Sequence, residues 1–256
     1  MSSSIRDSSV VTAVIAAHDE SANIEACIAS VGWASEVIVV ENDSVDDTIA
    51  RATSAGATVI SPHFTTIGAA RNQAIARAGT PWILVLDADE RCTPELAREI
   101  EVTVGNTDSR AFRIPRRNFF LGKEIRHGGW QSDKPVRLFR QELRYNANLV
   151  HEHVDLPNGA RIGETQGALL HYTYASLDQY FEKFSRYSRW WAQQNHAKGR
   201  RVSAAMVFFR PPARFVSMYL FKGGFLDGAH GLLLSCLAAA SVMAKYARLW
   251  ERSIRG

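Results

Sequence analysis

The chain has 256 residues, 46% apolar and 22% charged, with a formal net charge of +4. That length and balance describe one large globular domain, or one domain with an appended part, and exclude low-complexity, collagenous and disulfide-framed chains. The charge is uneven: residues 1–180 hold 17 Lys/Arg against 23 Asp/Glu, residues 181–256 hold 13 against 3, so the C-terminal part is expected to face an anionic partner, either nucleic acid or a phospholipid surface.

Residues 10–17 form an apolar run of strand length that ends in His18, Asp19, Glu20 and Ser21. Ile24, Cys27, Ile28 and Val31 then recur at helical spacing, with Ser21 or a neighbour as the cap. Residues 36–41 predict a second buried strand, followed by Glu41, Asn42, Asp43 and Ser44; Ser44 with Asp47 three positions on reads as a capping box for the next helix. A short strand at 57–61, a helix at 68–78 and a buried strand at 82–87 follow. Thr93 and Pro94 open a further helix whose inner stripe is Leu96, Ile100 and Val104. The alternation of strands and helices predicts an α/β fold, a doubly wound and mostly parallel sheet.

The strand at 82–87 ends in Asp87 and Asp89. Carboxylates at the carboxyl end of a buried strand sit where open α/β sheets bind ligands. Hard oxygen donors there suit Mg²⁺ or Mn²⁺ bridging to substrate phosphates; a polar turn with Asp89 as a helix cap is the plain alternative. Cys27, Cys92 and Cys236 are too far apart for a metal site and read as thiols of a reducing compartment. The first nine residues lack the apolar core of a signal peptide, so export is not expected.

Beyond Arg110 the pattern changes. Strands are expected at 110–117 and 135–140, with His127, Gly128, Gly129 and Trp130 between them. Ser176 and Gln179 read as a capping box for an aromatic-faced helix carrying Lys183, Arg186 and Arg189 on its other side. Residues 228–244 contain no charged residue, yet the stretch is shorter than the roughly 20 residues a spanning helix needs; it reads as buried or interfacial. The expected division is a catalytic domain at 1–175 and a basic, apolar helical extension at 176–256.

Four pieces together resemble glycosyltransferase family 2, nucleotide-sugar-dependent inverting enzymes with the GT-A fold: residues 14–20, residues 37–48, the Gly-Ala-Ala-Arg-Asn of residues 68–72, and residues 84–89 with Asp-Ala-Asp. The second half is similar to a narrower group, the lipopolysaccharide-core β-glucosyltransferases, through residues 127–130, 137–139, 150–152, 171–174 and 224–228. The resemblance implies that Glu20, Glu41 and Asn42 line a nucleoside pocket, that Arg71 holds the nucleotide, and that Asp87 and Asp89 flank the sugar diphosphate with Asp89 as metal ligand. The family has two acids and a glycine after the second strand where this chain has Glu41, Asn42 and Asp43, so the residue that meets the base stays open.

Displacing a nucleoside diphosphate needs a cation for the leaving phosphates and a carboxylate to take the acceptor proton. Glu152, framed by Val150 and Val154, is the expected base and Asp133 the runner-up. Trp130 is a candidate to stack on a sugar ring, or else a core anchor, and Arg137 a candidate diphosphate contact, or else the partner of an acid. Ion pairing of Glu152 with Arg137 or Arg140 is its plain alternative, and His151, His153 and His171 read as structural histidines. The function expected is transfer of a hexose, with glucose preferred, from a UDP-sugar to a lipopolysaccharide-core or other lipid-linked saccharide. The enzyme would sit peripherally on the cytoplasmic face of an anionic membrane, without a nucleic-acid partner; a protein or soluble acceptor is the alternative. A phosphatase with an Asp-x-Asp nucleophile is remote, because such a motif ends the first strand of those domains and here three strands precede it. A nucleic-acid-binding module is also remote, because the basic residues are interleaved with Phe, Leu and Met.

Overall fold

The computed structural model describes residues 9–62, 66–146 and 152–255. The chain forms two compact units, Met1–Arg116 with Lys134–His171, and Arg117–Asp133 with Tyr172–Gly256. The hairpin segment 117–133 thus groups with the C-terminal helices, a division different from a single boundary near residue 175.

In the first unit, β1 (Val11–Ala17), α1 (Ile24–Ser30), β2 (Glu36–Glu41), α2 (Thr48–Ser54), β3 (Thr58–Ile60), α3 (Ile67–Arg77) and β4 (Trp82–Asp87) alternate as expected. After them come β5 (Glu90–Cys92), α4 (Pro94–Gly105), β6 (Ala111–Arg113), β7 (Arg116–Phe120), β8 (Lys123–Ile125), β9 (Val136–Arg140), β10 (Ile162–Glu164) and β11 (Leu169–Tyr174). Seven of these make one sheet in the order β10-β6-β9-β4-β1-β2-β3. The pairs β1–β2, β1–β4, β2–β3 and β10–β6 are parallel, and β9 runs antiparallel to both β4 and β6.

The central strands read as unbroken apolar runs because both faces are covered. On β4, Trp82, Leu84 and Leu86 join a cluster with Ile24, Cys27 and Ile28 of α1 and Leu96, Ile100 and Val104 of α4. Ile83 and Val85 point the other way, onto Ala70, Ala74 and Ile75 of α3. The period-two alternation of a strand therefore divides one apolar run between two cores. Burial also raises the Cys27 thiol and pushes Cys92 up to about 12, which makes both inert packing groups.

Helix starts follow the sequence in two cases and not in a third. Thr93 accepts from Leu96 N–H with Pro94 in the first turn, and Ser176 accepts from Gln179 N–H at the start of α5 (Leu177–Ala197). Ser44, however, lies outside the first turn of α2. Asp46 does the work expected of it, accepting from the Thr48 and Ser21 backbone N–H groups at 3.0 Å each, because an aspartate two residues upstream forms the tighter local turn.

The second unit holds the β7–β8 hairpin, α5, α6 (Ala204–Val216) and α7 (Gly228–Arg255). A π-helical turn over Ser217–Phe221 follows α6. One core gathers Phe120, Ile125, Tyr180, Met218, Leu234 and Leu237; another gathers Ala192, Val202, Val207, Tyr246 and Leu249. Two motifs separated by a hundred residues meet here. Buried Asp227 accepts from the Arg126 and His127 backbone N–H groups at 3.2 and 2.9 Å, and lies 3.2 Å from His127 Nδ1. Gly231 permits that closure, since a Cβ there would fall 1.8 Å from the Gly224 carbonyl oxygen. α7 has 28 residues and is long and apolar enough to cross a membrane. The uncharged stretch 228–244 understates it, because the helix continues through Lys245, Arg248 and Glu251.

Candidate active site

β4 delivers Asp87 to the carboxyl edge of the sheet, where three arginines from three elements meet it. Arg71 of α3, Arg137 of β9 and Arg116 at the start of β7 all pair with its carboxylate. Glu90 completes the cluster: fully buried, it takes Arg116 at 2.6 Å and Arg137 at 3.2 Å on one oxygen and the Asp87 backbone N–H at 2.9 Å on the other. With Glu152, the cluster holds three positive and three negative groups. Burial alone would raise the Asp87 pKa, but Arg137, then Arg71 and Arg116, hold it far below the usual carboxylate range. Arg137, opposed by burial but favoured by Asp87 and Glu90, is held well above its own ordinary value. Both groups are therefore charged at neutral pH.

Arg71 reaches the second expected catalytic group. Its Nη1 lies 3.1 Å from Glu152 Oε1, while its guanidinium stacks 5.1 Å from the Tyr145 ring centre. Glu152 thus pairs with Arg71, where Arg137 or Arg140 was the alternative expected from sequence. Among the described residues, its second oxygen has no hydrogen-bond partner. Two neighbours in the 68–72 motif explain the geometry. Gly68 lets Tyr145, Asn146 and Glu152 approach α3, since a Cβ there would sit 3.0 Å from the Asn146 carbonyl oxygen and 3.4 Å from Glu152 Cβ. Asn72 clamps Tyr145 from both sides, donating to its carbonyl at 2.8 Å and accepting from its N–H at 2.9 Å. An Asn72→Ala chain is expected to lose about 2 kcal/mol of stability, the scale of stranding such groups, read as a lower denaturation midpoint.

Asp89, two residues after Asp87, meets a histidine. Its Oδ1 is 3.7 Å from His171 Nε2, both side chains being largely buried, and His171 is placed there by the pairing of β11 with β5 opposite Glu90. His171 was expected to be merely structural; its position beside Asp89 became visible only once β11 had a partner. His153 is exposed and bonds to Asn146; His151 lies outside the described residues. Among the described residues, no three His, Cys, Asp or Glu side chains converge into a metal site.

The loops after β1 and β2 interlock. Asp19 and Asp43 both adopt left-handed backbone, φ 54° each, a conformation aspartate tolerates through local hydrogen bonds. Asp19 Oδ1 accepts from Val45 N–H at 2.8 Å, Ser44 Oγ accepts from Asp19 N–H, and Thr48 Oγ1 accepts from Glu20 N–H at 2.8 Å. Glu41 is buried and accepts from Ser44 N–H. Glu20 accepts from Asn23 Nδ2, and the Asn42 carbonyl meets His18 Nδ1. Strain concentrated in paired loops at a sheet edge is a feature of ligand sites.

Trp130 and Asp133 belong to the second unit. The Trp130 ring packs edge-on to Phe120, at 6.5 Å and 77°, and its carbonyl accepts from Asn118 Nδ2. This is the core-anchor geometry. Arg116 and Glu90 escaped the sequence reading; the signal for Glu90 was its position directly after Asp-Ala-Asp, and Arg116 had none.

Residues 12–150 match the family model described as "Glycosyl transferase family 2". The lipopolysaccharide core biosynthesis glycosyltransferase LpsC of Rhizobium meliloti (strain 1021) is 27% identical over 93% of both chains. The uncharacterized glycosyltransferase RP128 of Rickettsia prowazekii (strain Madrid E) is 27% identical, over 96% of this chain and 88% of its own. Among solved structures, glucosyl-3-phosphoglycerate synthase from Mycobacterium tuberculosis, in complex with Mn²⁺, uridine diphosphate and phosphoglyceric acid, aligns with a TM-score of 0.41 and 18% identity. That match covers 56% of this chain and 60% of the synthase, under two thirds of it.

Proposed function

The chain belongs to glycosyltransferase family 2, and on that footing we propose that it moves a hexose, with glucose preferred, from a UDP-sugar to a lipopolysaccharide-core or other lipid-linked saccharide. The reaction would take place at the cytoplasmic face of an anionic membrane. The observation that carries the reading is the grouping, at one edge of the sheet, of Asp89, the Asp87 arginine cage and Glu152 held by Arg71. The LpsC relative supports the acceptor class.

The residues assign themselves different tasks. Asp87 is consumed by arginines and acts as the fixed anchor of the cage, so it is a poor ligand for a cation. Asp89, with His171 beside it, would hold the Mg²⁺ or Mn²⁺, its carboxylate oxygen being the hard donor these ions prefer. Such a cation would neutralise the charge that grows on the leaving phosphates. Arg71 and Arg137 frame the diphosphate side with buried positive charge that needs no reorganisation as the bond breaks. Glu41, Asn42 and Glu20 build the nucleoside wall through the interlocked loops. Glu152, oriented through one oxygen by Arg71, takes the acceptor hydroxyl proton on the other.

The test is a thermal-shift screen of UDP-, GDP- and dTDP-glucose with and without Mn²⁺. A donor at about a hundred times its Kd stabilises the fold by about 2.7 kcal/mol. UDP-glucose with Mn²⁺ is expected to give the largest shift, EDTA to remove the metal-dependent part, and Asp89→Asn to abolish that part while keeping metal-free binding. An equal shift in EDTA would sink the metal assignment. Transfer to a lipid-linked core saccharide, and not to soluble glycans or peptides, completes the test of the acceptor class.

A further inference from the structure

We propose that α6 and the turns after it lie in the plane of an anionic phospholipid surface and insert their outer face into it. The inference deepens the lipid-linked reading above and rests on it for the biological setting only. α6 turns Val207 and Pro211 inward, and Met218 continues the buried side in the π-helical turn. Phe208, Pro212 and Val216, spaced four apart, form a row on the other side, with Phe209 beside it. A helix facing water carries polar groups on that arc. Here Phe208 is 66% exposed and Phe209 74%.

The apolar surface does not stop with the helix. Leu220, Phe221, Phe225 and Leu226 follow in the turns before α7, and Phe221 is 85% exposed. Single exposed apolar side chains are ordinary; six large ones over nineteen residues form a patch of the kind that marks an interaction site. Other apolar residues of this basic, apolar extension differ in exposure. Phe215 and Tyr219 stack on each other at 5.2 Å and Leu234 is buried, while Leu232 and Leu233 stay exposed.

Charge identifies the occupant. From Lys183 to Trp250 the one acidic residue is Asp227, and it is buried against the Arg126 and His127 backbone. Arg210, Arg214 and Lys222 therefore flank the patch with no exposed acid in that span to balance them. A second copy of the same face would meet like charge. An anionic bilayer supplies both the apolar interior and the negative surface that this arrangement matches. α7 is the longer helix, but Leu234, Leu237, Tyr246 and Leu249 pack inward within the unit, with α5 and α6 against it.

The full chain is tested by flotation with phosphatidylglycerol-containing vesicles and with phosphatidylcholine vesicles, beside thermal shifts with UDP-glucose and Mn²⁺. Wild type is expected to float with the anionic vesicles only. Phe208→Ser, Phe209→Ser and Phe221→Ser together are expected to cut the bound fraction roughly tenfold or more, with the melting temperature and the donor shift unchanged. No flotation of wild type, or a triple variant that floats equally, overturns the proposal. So does displacement of the vesicles by single-stranded RNA, or a self-association that the same variant abolishes, since each gives the face to another occupant. A retained donor shift without flotation removes the anchor alone; flotation without any nucleotide-sugar shift removes the donor reading alone.

Discussion

An Asp87→Asn chain is expected to be less stable than wild type by about 3 kcal/mol at neutral pH, the lower end of the cost of breaking a buried ion pair from one side. The reason is what remains. Arg71, Arg116 and Arg137 are 7%, 13% and 5% exposed, and the substitution leaves Glu90 and Glu152 as the only acids of the cluster against three guanidiniums. The Asp87 carboxylate is itself 32% exposed, so water softens the loss and the lower figure applies. The pH dependence follows from the direction of the shift. A carboxyl whose folded pKa lies below its unfolded value contributes stability that is complete above the unfolded value, about 4, and is lost as pH falls toward the folded one. Wild type and Asp87→Asn should therefore differ by a constant amount from about pH 5 to 8 and converge on acidification below about pH 4. Urea unfolding of both chains across that range decides it. A gap that widens toward acid would mean that Asp87 does not carry the cage.

What the sequence made legible depends on how local the physics is. β1, β2 and β4 are each buried on both faces, so their apolar runs announced them without a partner in view. Thr93 and Ser176 were readable because a cap is decided within three residues. Ser44 misled because two candidates lay within the same turn, and only the fold shows that Asp46 also ties down Ser21 across the loop. The length of α7 was underestimated because an uncharged stretch is not a helix; Lys245, Arg248 and Glu251 lie on the same helix without ending it.

The site shows the same divide. Asp87, Asp89 and Arg71 could be named from motifs, but the cage could not, because Arg116 and Arg137 arrive from strands whose pairing is set by long-range contacts. His171 carried no local mark; register with β5 places it beside Asp89. Arg137 was allowed a diphosphate contact or an acid as partner, and it does pair with two acids, Asp87 and Glu90.

Glu152→Gln is the substitution that separates chemistry from scaffolding at this edge. Arg71 donates to one Glu152 oxygen at 3.1 Å, and the carbonyl oxygen of glutamine can accept the same bond. If Glu152 only holds Arg71 in place, the glutamine chain keeps the cage and turnover stays near wild type. If Glu152 removes the acceptor proton, glutamine keeps the shape and lacks the basicity. We expect kcat to fall at least about a hundredfold, the lower bound for a lost general base, with the UDP-sugar KM close to wild type and the melting temperature lowered by less than in Asp87→Asn, since Glu152 pairs with one guanidinium and Asp87 with three. A fall in kcat together with a large rise in donor KM would instead mean that Arg71 had moved, because the guanidinium and not the proton transfer would then be at fault. Asp133→Asn, made in parallel, tests the runner-up. Normal turnover in Glu152→Gln beside a collapse in Asp133→Asn would transfer the role of base to Asp133 and leave Glu152 as the support of Arg71.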